Sequence, residues 1–399
     1  MEGVPKDKIL EDKALRHQFT RAESAAISQE AMNDNFVVPL YSHIVHTSGK
    51  ENTVTGTGIR CAPQPSGAAT LQDPVVAPLK SLPLPAAEAP IFSFGVITDV
   101  QYADIADGQS FRGVPRYYRH SLQVLRRAVN HWNQKRLVNF AVQLGDIVDG
   151  FCPKEESLPA VMKVLSEFNS LQCGTVYHIL GNHCLYNLPR NQLNKLLKFP
   201  SWPNAHSYYD FTPSPNFRFV ILDGYDVSAI GWPEEHAHRK AAIELLKQKN
   251  PNSDKNSPDG LIGEECRFVK FNGGVGEDQL IWLNQVLKDA VACRQKVIVC
   301  CHIPLHPGAT SPNALLWNYN EVLDVIHQHN CVIACLAGHD HTGGYVIDSH
   351  GIHHRVLEAV LECPPGTNAF GHIDVFHDKL SLIGNDRMAS VDMAFDPSH

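Results

Sequence analysis

Five short apolar runs in this chain each break off at a turn rich in oxygen and imidazole donors, and that pattern limits the fold more than any other feature. "IFSFGVITDV" reaches Asp99, with Gln101 two residues on, and "VNFAVQLGD" ends at Asp146. "TVYHILGNH" ends at Asn182 and His183, "KVIVCCH" at His302, and "CVIACLAGHDH" at His339 and His341. Compact runs rich in β-branched residues read as buried strands. Between the first three, residues 119–136 carry apolar side chains at helical spacing (Leu122, Leu125, Ala128, Val129, Trp132), and 157–170 also read as a helix. Alternating strands and helices imply βαβ units, an α/β fold and a largely parallel first sheet. "FRFVILDG" adds a strand, and 236–249 and 277–291 add helices. Short β runs at 343–348, 351–357, 369–376 and 379–384 suggest a second sheet. The expected architecture is one domain over about 89–390, two stacked sheets between helices, with 391–399 a short tail.

In α/β sheets, ligands bind beyond the carboxyl ends of the strands. Five distant segments can therefore meet at one point. Two divalent cations about 3.5–4 Å apart, sharing one carboxylate, require this kind of donor set. Singly, each piece has an ordinary structural reading. Asp and Asn cap helices and form turns. His339 and His341 alternate on an extended segment, which would turn both to one side. Five such blocks in order, each after a strand, point to a metal centre.

Composition argues against several classes. The net charge of −8 disfavours a nucleic-acid partner. No apolar run approaches the roughly 20 residues needed to span a bilayer, so no membrane partner is expected. Eleven cysteines without a CxxC pair fit a reduced, cytoplasmic protein better than a disulfide scaffold. Residues 1–88, rich in Ala, Pro, Ser, Thr and Gly, read as a disordered extension; an organelle address there stays open. A monomer is expected.

The blocks "DVQ" (99–101), "GDIVD" (145–149), "GNH" (181–183), "HIP" (302–304) and "GHDH" (338–341) resemble the five signatures of calcineurin-like metallophosphoesterases. That family folds as a four-layer αββα sandwich of two stacked mixed sheets. The resemblance implies one metal held by Asp99, Gln101, Asp146 and His341. The other would be held by Asp146, Asn182, His302 and His339, with Asp146 as the bridge. Two positions depart from the pattern. Gln101 stands where the family usually has His, and Cys184 where it has an acid. A neutral oxygen donor at 101 favours Mn²⁺, or Mg²⁺, over Zn²⁺, with Zn²⁺ or iron as the further alternatives; otherwise Gln101 points away and the site is weaker or empty. Cys184 is expected to pack behind the Gly181 turn. A closer resemblance, from Phe92 to about Met388, is to the manganese-dependent ADP-ribose/CDP-alcohol diphosphatases. It includes "FSFGVITDVQYADI", "RYYR" (116–119), "NGGVGEDQLIWL" (272–283) and "LECPPGTNAFG" (361–371).

What this implies is hydrolysis of a phosphoanhydride in a small nucleotide substrate by a hydroxide between the cations. ADP-ribose would give AMP and ribose 5-phosphate; CDP-alcohols would give CMP and a phospho-alcohol. His183 would stabilise or protonate the leaving oxygen, with Asp149 hydrogen-bonded to its imidazole, unless Asp149 is only a helix cap. For the substrate, Tyr102, Arg116, Tyr117, Tyr118 and Arg119 could stack a base or bind a phosphate, or "RYYR" simply opens a helix. Gly273 and Gly274 could present N–H groups to phosphate. Tyr345, His354, Arg355, Cys363 and Gly366 could shape a nucleoside pocket, although His353, His354 and Arg355 also read as an exposed strand edge. A cyclic-nucleotide phosphodiesterase or phosphomonoesterase on the same site, and a non-catalytic scaffold that has lost its metals, are the rivals.

Overall fold

In this computed structural model the described residues are 89–397, apart from 135–136 and 200–205. The extension expected over 1–88 lies outside them. The apolar runs form strands as the sequence pattern predicts. In chain order they are β1 (Phe92–Ile97), β2 (Gly108–Gln109), β3 (Pro115–Arg116), β4 (Phe140–Gln143), β5 (Val176–His178), β6 (Tyr209–Ser214) and β7 (Phe217–Leu222). The rest are β8 (Lys296–Cys301), β9 (Val332–Ala337), β10 (Gly344–Ile347), β11 (His353–Val356), β12 (Phe370–Val375), β13 (Lys379–Gly384) and β14 (Val391–Ala394).

Two six-stranded sheets result, ordered β14-β13-β12-β1-β4-β5 and β10-β11-β9-β8-β7-β6. In the first, β1, β4 and β5 are parallel, and Ile97, Gln143 and His178 lie level across them. The blocks after these strands, with Asp99, Asp146 and Asn182, therefore fall on one edge. In the second, β7, β8 and β9 are parallel, so His302 and His339 leave from the same end. The C-terminal runs do not make a sheet of their own. β10 and β11 extend the second sheet, while β12 and β13 pair antiparallel beside β1 in the first. Residues 391–394, expected in the tail, pair with β13.

The sheets stack through aromatic rings. Phe94 and Phe140 lie parallel at 5.4 Å, and each meets Phe219 of the opposite sheet edge-on, at 5.0 and 5.4 Å. Phe92 meets Phe217 edge-on at 5.5 Å. Edge-to-face geometry suits the ring quadrupoles as well as burying area. Helix Tyr118–Asn133 buries the expected stripe against the outer face of the first sheet. Its Trp132 indole donates to the Gly371 carbonyl at 3.0 Å. A Cβ at Gly95 would lie 2.6 Å from the same ring, so β1 needs glycine there. Helix Glu277–Ala292 buries Leu283, Leu287 and Ala290 on the second sheet's side. Helix, sheet, sheet and helix are the four layers.

Candidate dinuclear metal centre

The ligand-bearing turns are backbone turns of unusual geometry. Seven described non-glycine residues have φ in the left-handed region, and Asp99 (50°), Gln101 (41°), Asp146 (57°) and His339 (68°) are four of them. Each such residue costs roughly 1–3 kcal/mol, and the strain is concentrated where the five segments meet. The glycines beside them make room. A Cβ at Gly145, itself at φ +107°, would sit 2.2 Å from His302 Nδ1. One at Gly181 would sit 2.1 Å from Asp146 Oδ1.

Carboxylate oxygens of Asp99 and Asp146 and a ring nitrogen of His302 lie within 4.8 Å of one another, all three residues buried. His302 Nδ1 donates to the Leu144 carbonyl at 2.7 Å. The Nε2 of the neutral ring therefore carries a lone pair, and it faces Asp146 Oδ2 at 3.2 Å. Two acceptors face to face call for positive charge between them. Asp146 Oδ2, His302 Nε2 and Gln101 Oε1 are buried without hydrogen-bond partners, a pattern that divalent cations satisfy. The other Asp146 oxygen is fixed by the N–H groups of His183 (2.8 Å) and Cys184 (3.3 Å).

Burial alone would raise the Asp99 pKa, but the hydrogen bond from His341 and the nearby His302 hold it well below the usual range. Burial opposes charge on His341, yet the carboxylates of Asp99 and Glu362 push it up to about 10. His339, buried beside His302, is held down to about 3.

The remaining donors are oriented by neighbours that sequence analysis missed. The Asn272 amide donates from Nδ2 to the carbonyls of Arg267, Asn313 and Leu315, so its Oδ1 accepts from His339 Nε2 at 2.7 Å. The lone pair of the His339 ring is then on Nδ1. His341 Nδ1 meets Glu362 at 2.9 Å, and Glu362 is held in turn by Arg387. His341 Nε2 lies 2.9 Å from Gln101 Nε2 and 3.4 Å from Asp99. Tyr225 donates to Asn182 Oδ1 at 3.0 Å, and Arg190 fixes the Tyr225 carbonyl and Asp223 behind it. Partners of this kind set ring tautomers and ligand aim. Asn272 stands inside "NGGVGEDQ", but nothing in the local sequence marks an Asn as turned inward.

His339 and His341 do not lie on an extended segment. β9 stops at Ala337, and the following turn gives the two rings separate partners. His183 also differs from expectation. Its Nδ1 accepts the Gly150 N–H at 2.8 Å, while Asp149 Oδ2 lies 3.4 Å from the same nitrogen. The neutral ring therefore carries its proton on Nε2, and Asp149 is a nearby negative charge, not its hydrogen-bond acceptor. Asp149 Oδ1 instead accepts the Phe151 N–H, and Arg116 approaches Oδ2 at 3.8 Å. Cys184 is fully buried behind the Gly181 turn. Burial and the Asp146 charge push its thiol up to about 12, which removes it as a nucleophile.

Most expected substrate contacts are occupied elsewhere. Gly274 exchanges both backbone bonds with Val227, so it has no N–H for a phosphate; Gly273 gives its carbonyl to Trp317. Tyr102 and Tyr118 are buried, the Tyr102 hydroxyl taking a hydrogen bond from Lys163 at 2.6 Å. Arg119 pairs with Asp104 on the surface. Arg355 is buried against Glu358, and Cys363 is fully buried. His353 and His354 are buried too, because β10 covers β11. Tyr345 is half-exposed, its hydroxyl at His353 Nδ1 (2.7 Å). Arg116 and Tyr117 remain partly accessible near the centre. A cavity of about 640 Å³ lined by Met162, Tyr177 and Phe211 shares no residue with the ligand cluster.

Comparison with known proteins agrees with this geometry. The calcineurin-like phosphoesterase family matches residues 92–343. A manganese-dependent ADP-ribose/CDP-alcohol diphosphatase of Oryza sativa is 61% identical over 308 residues, covering 77% of this chain and 95% of the relative. The protein of the same name from Arabidopsis thaliana is 60% identical, covering 77% and 98%. The crystal structure of a dimetal phosphatase from Danio rerio superposes with a TM-score of 0.74 at 40% identity, over 77% of this chain and all of that one. The chain belongs to the calcineurin-like phosphoesterase family.

Proposed function

We propose that this enzyme hydrolyses the phosphoanhydride of nucleoside-diphosphate-linked small molecules in a Mn²⁺-dependent reaction. ADP-ribose would yield AMP and ribose 5-phosphate, and CDP-alcohols would yield CMP and a phospho-alcohol. The supporting observation is the buried Asp99–Asp146–His302 cluster, in which Asp146 Oδ2 faces His302 Nε2 and neither atom has a hydrogen-bond partner. The activity named for the rice and Arabidopsis relatives supports the substrate class.

In this reading Asp99, Gln101, Asp146 and His341 hold one cation, and Asp146, Asn182, His302 and His339 the other. Such a pair supplies an acidified water and neutralises charge on the phosphoryl oxygens. The chain's own residues supply aim and a hydrogen bond to the leaving group. The Gly150 N–H keeps the His183 proton on Nε2, where it can donate a hydrogen bond that stabilises the departing phosphate oxygen. Asp149 Oδ2 lies 3.4 Å from the opposite ring nitrogen, Nδ1. Arg116, with a buried Nε lacking a partner, is the best-placed cation for the second phosphate. Asn272 and Glu362 lock the rings of His339 and His341.

The test is a panel of ADP-ribose, CDP-choline, a cyclic nucleotide and a simple phosphomonoester, each with Mn²⁺ and with Mg²⁺. Mn²⁺-dependent release of AMP or CMP is expected. Faster turnover of the cyclic nucleotide or the monoester than of either diphosphate would overturn the substrate reading. We also take residues 89–390 as sufficient, acting as a monomer in the cytoplasm; the ten described cysteines are free thiols, in keeping with a reducing compartment. Among the described residues no helix is long and apolar enough to cross a membrane. Removing residues 1–85 should leave turnover intact.

A further inference from the structure

A second group of metal-type donors lies outside the catalytic centre. His327 is the last residue of helix Tyr319–His327, Asp348 follows β10, and His350 sits in the turn to β11. One ligand atom from each lies within 4.8 Å of the others. None of them belongs to the Asp99–Asp146–His302 cluster. We infer that His327, Asp348 and His350, with His354 beside them, form a separate structural site for a borderline divalent cation such as Zn²⁺.

The carboxylate is held for this purpose. Asp348 Oδ1 accepts the backbone N–H groups of His350 and Ile352, both at 2.9 Å, which fixes the side chain to its own turn. Oδ2 is left facing two rings, with His327 Nε2 at 2.9 Å and His354 Nε2 at 3.1 Å. Donors around a tetrahedral zinc at ~2.0–2.1 Å stand roughly 3.3 Å apart, close to the spacings of Asp348 from His327 and His354, while His350 would have to turn its ring from its stack on His327. The His350 ring stacks on His327 at 3.7 Å between centroids and is exposed, which leaves a route in from solvent.

An independent observation concerns His354. It is 2% exposed, yet its Nδ1 has no hydrogen-bond partner. Buried polar atoms are nearly always satisfied, and the ring against it, His306 at 4.7 Å, uses its own Nδ1 to accept the Gly308 N–H. The His354 nitrogen beside Asp348 is Nε2, bonded to it at 3.1 Å, and the one left without a partner is Nδ1 on the other side of the ring. Burial holds the His354 pKa down to about 4. Burial would raise Asp348, but hydrogen bonds from His327 and His354 lower it to about 2. At neutral pH a cation meets a neutral His354 ring and an ionised carboxylate.

The two centres differ in donor chemistry. The catalytic set is rich in oxygen and suits Mn²⁺ or Mg²⁺, whereas imidazoles around one carboxylate favour Zn²⁺. Occupied, this site would tie the end of a helix to the β10–β11 hairpin at the edge of the second sheet.

The test uses the full chain, stripped with a chelator, reloaded with Mn²⁺, given a small excess of Zn²⁺ and desalted. Elemental analysis then compares wild type with His350→Gln and Asp348→Asn. Exchange of zinc into the catalytic centre is common to all three and cancels in the difference. Wild type should retain one more zinc equivalent than either variant and show a zinc-dependent rise in Tm that both variants lack. Mn²⁺-dependent turnover of His350→Gln should match wild type. Because His350 is exposed, that variant carries the test even if Asp348→Asn does not fold. Equal zinc retention and equal Tm responses in wild type and His350→Gln would overturn the inference and leave a hydrogen-bonded histidine network only.

Discussion

The aromatic interface between the sheets and the rim where their strands end are held by opposite physics. Between the sheets, Phe92, Phe94, Phe140, Phe217 and Phe219 are buried, unstrained and mutually satisfied by ring contacts. At the rim, four candidate ligand positions sit at left-handed φ and three acceptor atoms are buried without partners. The interface contributes stability and the rim consumes some of it. A strained, unsatisfied rim persists only because the layers beneath it fix its segments from both sides.

Changes to the two regions should therefore separate activity from stability. Asp146→Ala should have the largest effect, reducing turnover of every diphosphate below detection while circular dichroism remains native. Activity retained with Mn²⁺ would end the bridging role. His183→Ala should lower kcat by about 10²–10⁴-fold with Mn²⁺ content near that of wild type; loss of metal in that variant would mean the ring is a ligand. Phe94→Ala, in the interface, should cost about 3–5 kcal/mol in unfolding free energy, with kcat per folded molecule little changed. A variant equally stable but inactive would break the separation of the two regions.

Asn272→Ala should weaken Mn²⁺ affinity by about 10–100-fold through loss of the acceptor that orients His339. The readout is the Mn²⁺ concentration at half-maximal activity. The smallest effect is expected from Tyr345→Phe, whose hydroxyl bonds His353 on the edge of the second sheet. KM and kcat within about twofold of wild type agree with placing it outside the substrate site, given that exposed single groups contribute little.

Much of the rim was legible because metal chemistry and strand termination leave marks in the same few letters. Asp99, Asp146, Asn182 and His302 each follow an apolar run, and parallel strands bring such positions to one edge whatever the loops between them do. The glycines of "GDIVD" and "GNH" were legible as turns, but their closer purpose, clearing space for His302 and for the Asp146 carboxylate, required coordinates. The substrate contacts were not legible. Tyr102, Gly274, Arg355 and Cys363 are chemically suitable residues near the right blocks, and each is spent on packing or pairing that depends on distant partners such as Lys163, Val227 and Glu358.

The sequence by itself determined the elements, their order and the donors at their ends, because periodicity, turn residues and ligand type are local properties. Tertiary structure alone decided which sheet the C-terminal strands join, which nitrogen of His183 keeps its proton, and that Asn272 and Glu362 bond the rings of His339 and His341. Those outcomes turn on hydrogen bonds between residues as far apart as Asn272 and His339, and on register across strands. Local chemistry can name such partners but cannot bring them together.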